Sequence, residues 1–127
     1  MIVNQTTRAI LATDFAIGSQ HDFQLFKESR LGLASHILSL ADSGYLGISK
    51  LHANSQIPAK KSKLHPLTLA QKDSNRRLSK QRILVENIIC RLKVFRILSE
   101  RYRNRRKRFS LRFNLIAALY NLELLSA

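Results

Sequence analysis

Apolar and polar positions change their period several times along this chain, and each change predicts an element. Over residues 8–17, β-branched, apolar and aromatic residues follow one another without helical spacing until Gly18 and Ser19 interrupt them, which predicts a strand and then a turn. Ser19 or Asp22 can cap a short helix reaching about Ser29, with Phe23, Phe26 and Lys27 on one face. Residues 37–41 read as a second strand. It ends at Asp42, and Gly44 and Gly47 of Asp-Ser-Gly-Tyr-Leu-Gly turn the chain just beyond. The polar, proline-containing residues 54–67 read as a loop. From about Thr68 to about Ser99 the period becomes helical, with Leu78, Val85, Ile89 and Leu92 in one apolar stripe and Arg82, Glu86 and Lys93 in a polar one beside it. A second helix, 109–125, repeats Phe109, Phe113, Ile116 and Tyr120 at the same period and is apolar enough to serve a core.

Length and charge narrow the function. With 127 residues, the chain can build one small core, as a single domain or part of one. Twenty-two Lys and Arg against eight Asp and Glu give a net charge of +14, while 45% of residues are hydrophobic, so a disordered acidic tail is excluded and a polyanionic partner is expected. The charge is concentrated: residues 76–112 hold 14 of the 22 basic side chains but only Glu86 and Glu100 of the acids. Six of the eight positions from Arg101 to Arg108 are Arg or Lys, dense enough to favour phosphate contact over a merely solvated face. Cys90 is the single cysteine, which excludes an internal disulfide framework and fits a reducing compartment. His21, His36, His52 and His65 have no zinc-ligand spacing with one another or with Cys90. The longest uncharged runs, 31–41 and 113–122, fall short of the ~18 to 20 apolar residues of a membrane span. The first residues reach Asp14 without a signal-peptide pattern, so the chain is expected in the cytoplasm of a prokaryote, with no membrane partner.

Two carboxylates stand out. Asp42 closes a strand, where a rigid backbone can present a side chain to an open cleft; its plainer reading is a turn-forming Asp before Gly. Glu86 interrupts the apolar run from Ile83 to Ile89, and a carboxylate at the edge of a buried face needs a cation or a partner. Its plainer reading is a surface ion pair with Arg82, four residues earlier.

The ordered series His21-Asp22-Phe23, Leu25-Phe26-Lys27-Glu28-Ser29, Asp42-Ser43-Gly44-Tyr45-Leu46-Gly47, Pro58-Ala59-Lys60-Lys61, Leu78-Ser79 and Arg82-Ile83-Leu84-Val85-Glu86-Asn87, running into Arg91-Leu92-Lys93 and Tyr102-Arg103-Asn104-Arg105, resembles the C-terminal half of a DDE transposase. Within that family the series looks most like the transposases of bacterial insertion sequences related to the PIF/Harbinger endonucleases. The resemblance covers about Ala9 to Leu122, and the order of the motifs is far more specific than any one of them. It implies an α/β fold, a partial RNase H-like (DDE integrase-type) domain with retained strands, a helix bearing the catalytic Glu and a C-terminal helix. It further implies that Asp42 and Glu86 are the second Asp and the Glu of three catalytic, metal-binding carboxylates. Mg²⁺ or Mn²⁺ is the expected cofactor for such an all-oxygen site. Lys93 matches a basic residue that contacts DNA near the active site in such enzymes; Arg91, Arg101, Arg103, Arg105, Arg106, Lys107 and Arg108 extend the expected DNA-binding set.

The family's first Asp belongs upstream of the His21-Asp22-Phe23 motif. Asp14 falls in the segment of a later strand and Asp22 belongs to that motif, so neither replaces it. Asn87 stands for the family's His and Cys90 for its Gly. The reading is therefore a transposase part that is inactive alone, with DNA as partner and an upstream transposase segment or a second copy as the completing one. Two rivals are a non-catalytic basic nucleic-acid-binding protein and a small RNA-associated protein.

Overall fold

The computed structural model describes residues 1–16, 19–99 and 108–127. These residues form two compact units, one of Met1–Phe15 with Ile83–Ala127 and the other of Ala16–Arg82. The long helix α2 (Leu69–Leu92) gives its first part to the second unit and its last turns to the first.

The first unit is a small hairpin with helices. Strands β1 (Ile2–Val3) and β2 (Ile10–Ala12) pair antiparallel through a turn in which Asn4 Oδ1 accepts the backbone N–H groups of Thr6 and Thr7, both at 2.9 Å. The strand expected over 8–17 is shorter because Arg8, at φ 63°, belongs to that turn and only three residues follow in strand geometry. Ile10, Ile88, Leu92, Ile116, Ala117 and Tyr120 are buried together, with Leu84 and Phe113 half-buried beside them. Helix α4 (Phe109–Ser126) places Phe113, Ile116 and Tyr120 inward as its period predicts. Its Asn121 clamps β2: the side-chain oxygen accepts the Ile10 N–H and the side-chain nitrogen donates to the Ile10 carbonyl, both at 2.8 Å.

On α2 Leu78 and Leu92 are buried as the stripe predicts, but between them Ile88 is buried and Leu84 half-buried, whereas Ile89 is 36% exposed. The one-residue change turns Glu86 outward, since two positions from Ile88 is about 200° around a helix. The single helix expected over 68–99 is divided. It ends at Leu92, and a short α3 (Arg96–Ser99) follows a turn in which Phe95 N–H donates to the Leu92 carbonyl at 3.1 Å.

In the second unit, α1 (Asp22–Glu28) begins at His21, in extended conformation and with no side-chain cap, so neither Ser19 nor Asp22 caps it. Asp22 instead lies in the first turn, where a negative charge suits the helix dipole. Strand β3 (Ser39–Leu40) pairs in parallel with β4 (Ser55–Gln56), which lies inside the stretch read as a loop. The connection passes through a 3-10 turn, Ile48–Lys50, entered by Gly47 at φ 93°, a conformation that glycine adopts without steric cost. Buried His52 donates from Nε2 to the Ile37 carbonyl at 2.6 Å, and Asn54 Nδ2 donates to the His36 carbonyl at 3.2 Å, so the crossover is tied to the approach to β3. Mixed helices and small sheets fit an α/β class.

Candidate functional site

Asp42 follows β3 at the point where pairing stops. Ala41 N–H still donates to the Gln56 carbonyl at 3.0 Å, and Tyr45 N–H then returns to the Asp42 carbonyl at 2.9 Å, so a strand end and a turn fix the Asp42 backbone from both sides. The Tyr45 ring packs against two rings of α1, with centroids 5.6 Å from Phe23 and 6.2 Å from Phe26. The Leu-Phe-Lys motif and the Asp-Ser-Gly-Tyr motif are thus one packed assembly. An open hollow of about 260 Å³ lies beside them, lined by Gln20, His21, Asp22, Asp42 and Tyr45 among others.

The Asp42 carboxylate already has partners. Its Oδ2 lies 3.1 Å from the Arg82 guanidinium, and its Oδ1 accepts the Ser43 backbone N–H. Partial desolvation works to raise its pKa, but the hydrogen bonds from Ser43 and the Arg82 charge outweigh that, and the carboxyl titrates below its ordinary value. For Tyr45, burial and then the negative charges of Asp22 and Asp42 all push the phenol up.

Glu86 lies in the last two turns of α2 and is exposed. The expectation that it edges a buried face is corrected by the Leu84, Ile88, Leu92 stripe. Arg82, one turn earlier, is paired with Asp42, so the local Arg82–Glu86 pair is not the one formed. Arg91, in the last turn of α2, has its guanidinium carbon 5.6 Å from the Tyr120 ring centroid, and exposed Lys93, just past the helix end, donates its N–H to the Ile89 carbonyl at 3.0 Å. Arg108 is the exposed N-cap residue of α4. Arg101, Arg103, Arg105, Arg106 and Lys107 lie outside the described residues.

Among the described residues no three of the His, Cys, Asp and Glu side chains gather as cation ligands. With Arg82 neutralising Asp42 as well, they do not by themselves fit the donor set of a two-cation centre. No described helix is long and apolar enough to cross a membrane.

Sequence reasoning passed over two residues here. Arg82 was visible only as a neighbour of Glu86, and Asn75 carried no signal at all. Asn75 Oδ1 accepts the Ala59 N–H at 2.8 Å and its Nδ2 donates to the Ala59 carbonyl at 3.0 Å, which fastens the Pro58-Ala59-Lys60-Lys61 stretch to α2.

Comparison with known proteins bears on the whole chain. Residues 1–121 match the family model described as DDE superfamily endonuclease. A probable transposase for insertion sequence element IS702 from Microchaete diplosiphon is 46% identical over 124 residues, which is 98% of this chain and 45% of that protein. The chain thus spans a little under half the length of that curated relative. No solved structure matches it. The match over nearly the full length, together with the motif order assembled around Asp42, makes the chain a member of the DDE superfamily endonucleases.

Proposed function

We propose that these residues are the C-terminal part of an insertion-sequence transposase that cleaves and joins DNA strands, with Asp42 and Glu86 as two of its three catalytic carboxylates. The observation that carries this reading is the family match over residues 1–121, supported by the 46% identity to a probable insertion-sequence transposase. The expected architecture is RNase H-like, the expected cations are Mg²⁺ or Mn²⁺, and the substrate is DNA in the cytoplasm. Asp42 is held at a strand end with its carboxyl ionised across the neutral range. On this reading the third carboxylate is expected from another segment of such a transposase, since the chain spans 45% of the relative's length.

Lys93, Arg91 and the basic residues from Arg101 to Arg108 are assigned to the DNA backbone, supplying affinity without reading sequence. A purely binding role is the second reading, favoured by the Asp42–Arg82 pair, which leaves no free donor set among the described residues.

The test is strand cleavage on a duplex carrying insertion-sequence ends, with Mg²⁺ or Mn²⁺. The 127-residue chain should bind without nicking. Joining it behind the upstream part of the IS702-type relative should give cleavage. Cleavage by the 127 residues alone, lost on replacing Asp14 or Asp22, would overturn the assignment of the third carboxylate.

A further inference from the structure

The Asn75 side chain holds the stretch before α2 at one point. The Ala59 backbone is fastened to α2 through both of its polar groups, and the two exposed lysines that follow, Lys60 and Lys61, therefore leave the helix surface from a fixed point. Exposed Lys63 sits in a turn closed by two hydrogen bonds between Ser62 and His65, at 3.2 and 3.0 Å.

On α2, Lys72, Arg76 and Lys80 recur every fourth residue and are exposed. Helical geometry puts Asn75 about 60° from Lys72 and about 60° from buried Leu78, so the clamp borders the basic row on the side nearer the core. From Lys72 to Lys80 the row runs ~12 Å along the axis. One strand of B-DNA presents three to four phosphates over that rise, at ~3.4 Å each.

All six side chains belong to the unit Ala16–Arg82, and among the described residues none pairs with a carboxylate. The nearby acid Asp73 is taken by Arg77 at 2.7 Å. The helix and the two-point clamp already fix the backbone beneath these cations, so meeting a polyanion costs side-chain freedom rather than the ordering of a loop.

We propose that Lys72, Arg76 and Lys80 on α2, with the Asn75-anchored Lys60, Lys61 and Lys63, form a second basic surface that grips the phosphate backbone of duplex DNA. It is separate in sequence from Arg91, Lys93 and the 101–108 cluster, and it rests on the reading that DNA is the substrate. Asn75 is a positioning residue, acting through the loop it holds.

The test measures binding of the full chain to a random-sequence DNA duplex across a salt series. Each phosphate contact contributes about −0.9 to the slope of log K against log salt. Lys72→Gln, Arg76→Gln and Lys80→Gln together should flatten the slope by about two to three, and Lys60→Gln with Lys61→Gln by about two. Asn75→Ala should weaken binding in the otherwise unaltered chain and should add little once Lys60 and Lys61 are neutralised, an outcome that general unfolding would not give. Wild-type slopes in both multiple variants would overturn this surface alone, leaving the DNA reading intact. Absence of salt-dependent duplex binding by the unaltered chain would overturn both. Tighter, Lys60- and Lys72-dependent binding to an RNA duplex of equal length would assign the surface to RNA instead.

Discussion

The Arg82 guanidinium lies 3.1 Å from the Asp42 carboxylate, joining the strand-end acid to the helix that carries Glu86 one turn further on. Local spacing would pair Arg82 with Glu86; the fold pairs it with Asp42. Both side chains are partly exposed, at 30% and 52%, so a double-mutant cycle with Arg82→Gln and Asp42→Asn should give a coupling of no more than about 1 kcal/mol.

The same pair sets a pH dependence. Ser43 and Arg82 hold the Asp42 carboxyl below its ordinary value, so its contribution to stability is present above the unfolded-state pKa and is lost as pH falls through the folded-state one. Arg82→Gln should move the Asp42 titration upward, as read from the carboxyl carbon by NMR. An unchanged midpoint would assign the shift to the hydrogen bonds from Ser43 and Gly44.

Tyr45 gives the opposite sign. Its phenol is raised above the ordinary value of 10.0 by burial and by Asp22 and Asp42, so its contribution is complete below the unfolded-state pKa and is lost as pH rises through the folded-state one. Ultraviolet titration compared with Tyr45→Phe should reveal a tyrosine ionising late. Asp22→Asn should lower that value only in part, since burial is the larger cause.

The elements that sequence made legible are those with a strong local period. Phe113, Ile116 and Tyr120 repeat at helical spacing, and α4 turns them to the core as expected, Ile116 and Tyr120 buried and Phe113 half-buried. On α2 the helix and its buried Leu78 and Leu92 were legible, but not the choice between Ile88 and Ile89, which are chemically equivalent; only packing against Ile10 and α4 decides for Ile88. The β3–β4 pair was half legible, because Ser55 and Gln56 are too few and too polar to alternate. In the site, the position of Asp42 at a strand end could be read from the pattern, whereas its partner could not. Arg82 reaches it from a helix far along the sequence, and no spacing rule covers that. Asn75 and Asn121 were invisible for the same reason, each satisfying the backbone of a distant residue.

Asn121 offers a test of the hairpin and helix unit. Its side chain occupies both backbone groups of Ile10, a buried residue, and an unpaired buried polar group costs about 1 to 3 kcal/mol. Asn121→Ala should therefore destabilise the chain by that order in urea unfolding. Ile88→Ala, which opens a cavity in the same core, should cost about 2 to 5 kcal/mol.

The central claim is that this chain brings Asp42 and Glu86 to DNA cleavage. The most direct measurement uses the chain joined to the upstream part of an IS702-type relative and compares strand cleavage in Mg²⁺ with duplex binding for Asp42→Asn and Glu86→Gln. Each substitution keeps the side chain's size and removes its charge. Abolished cleavage with duplex binding retained, in both variants, is the predicted result; cleavage at the parent rate in either one would contradict the claim.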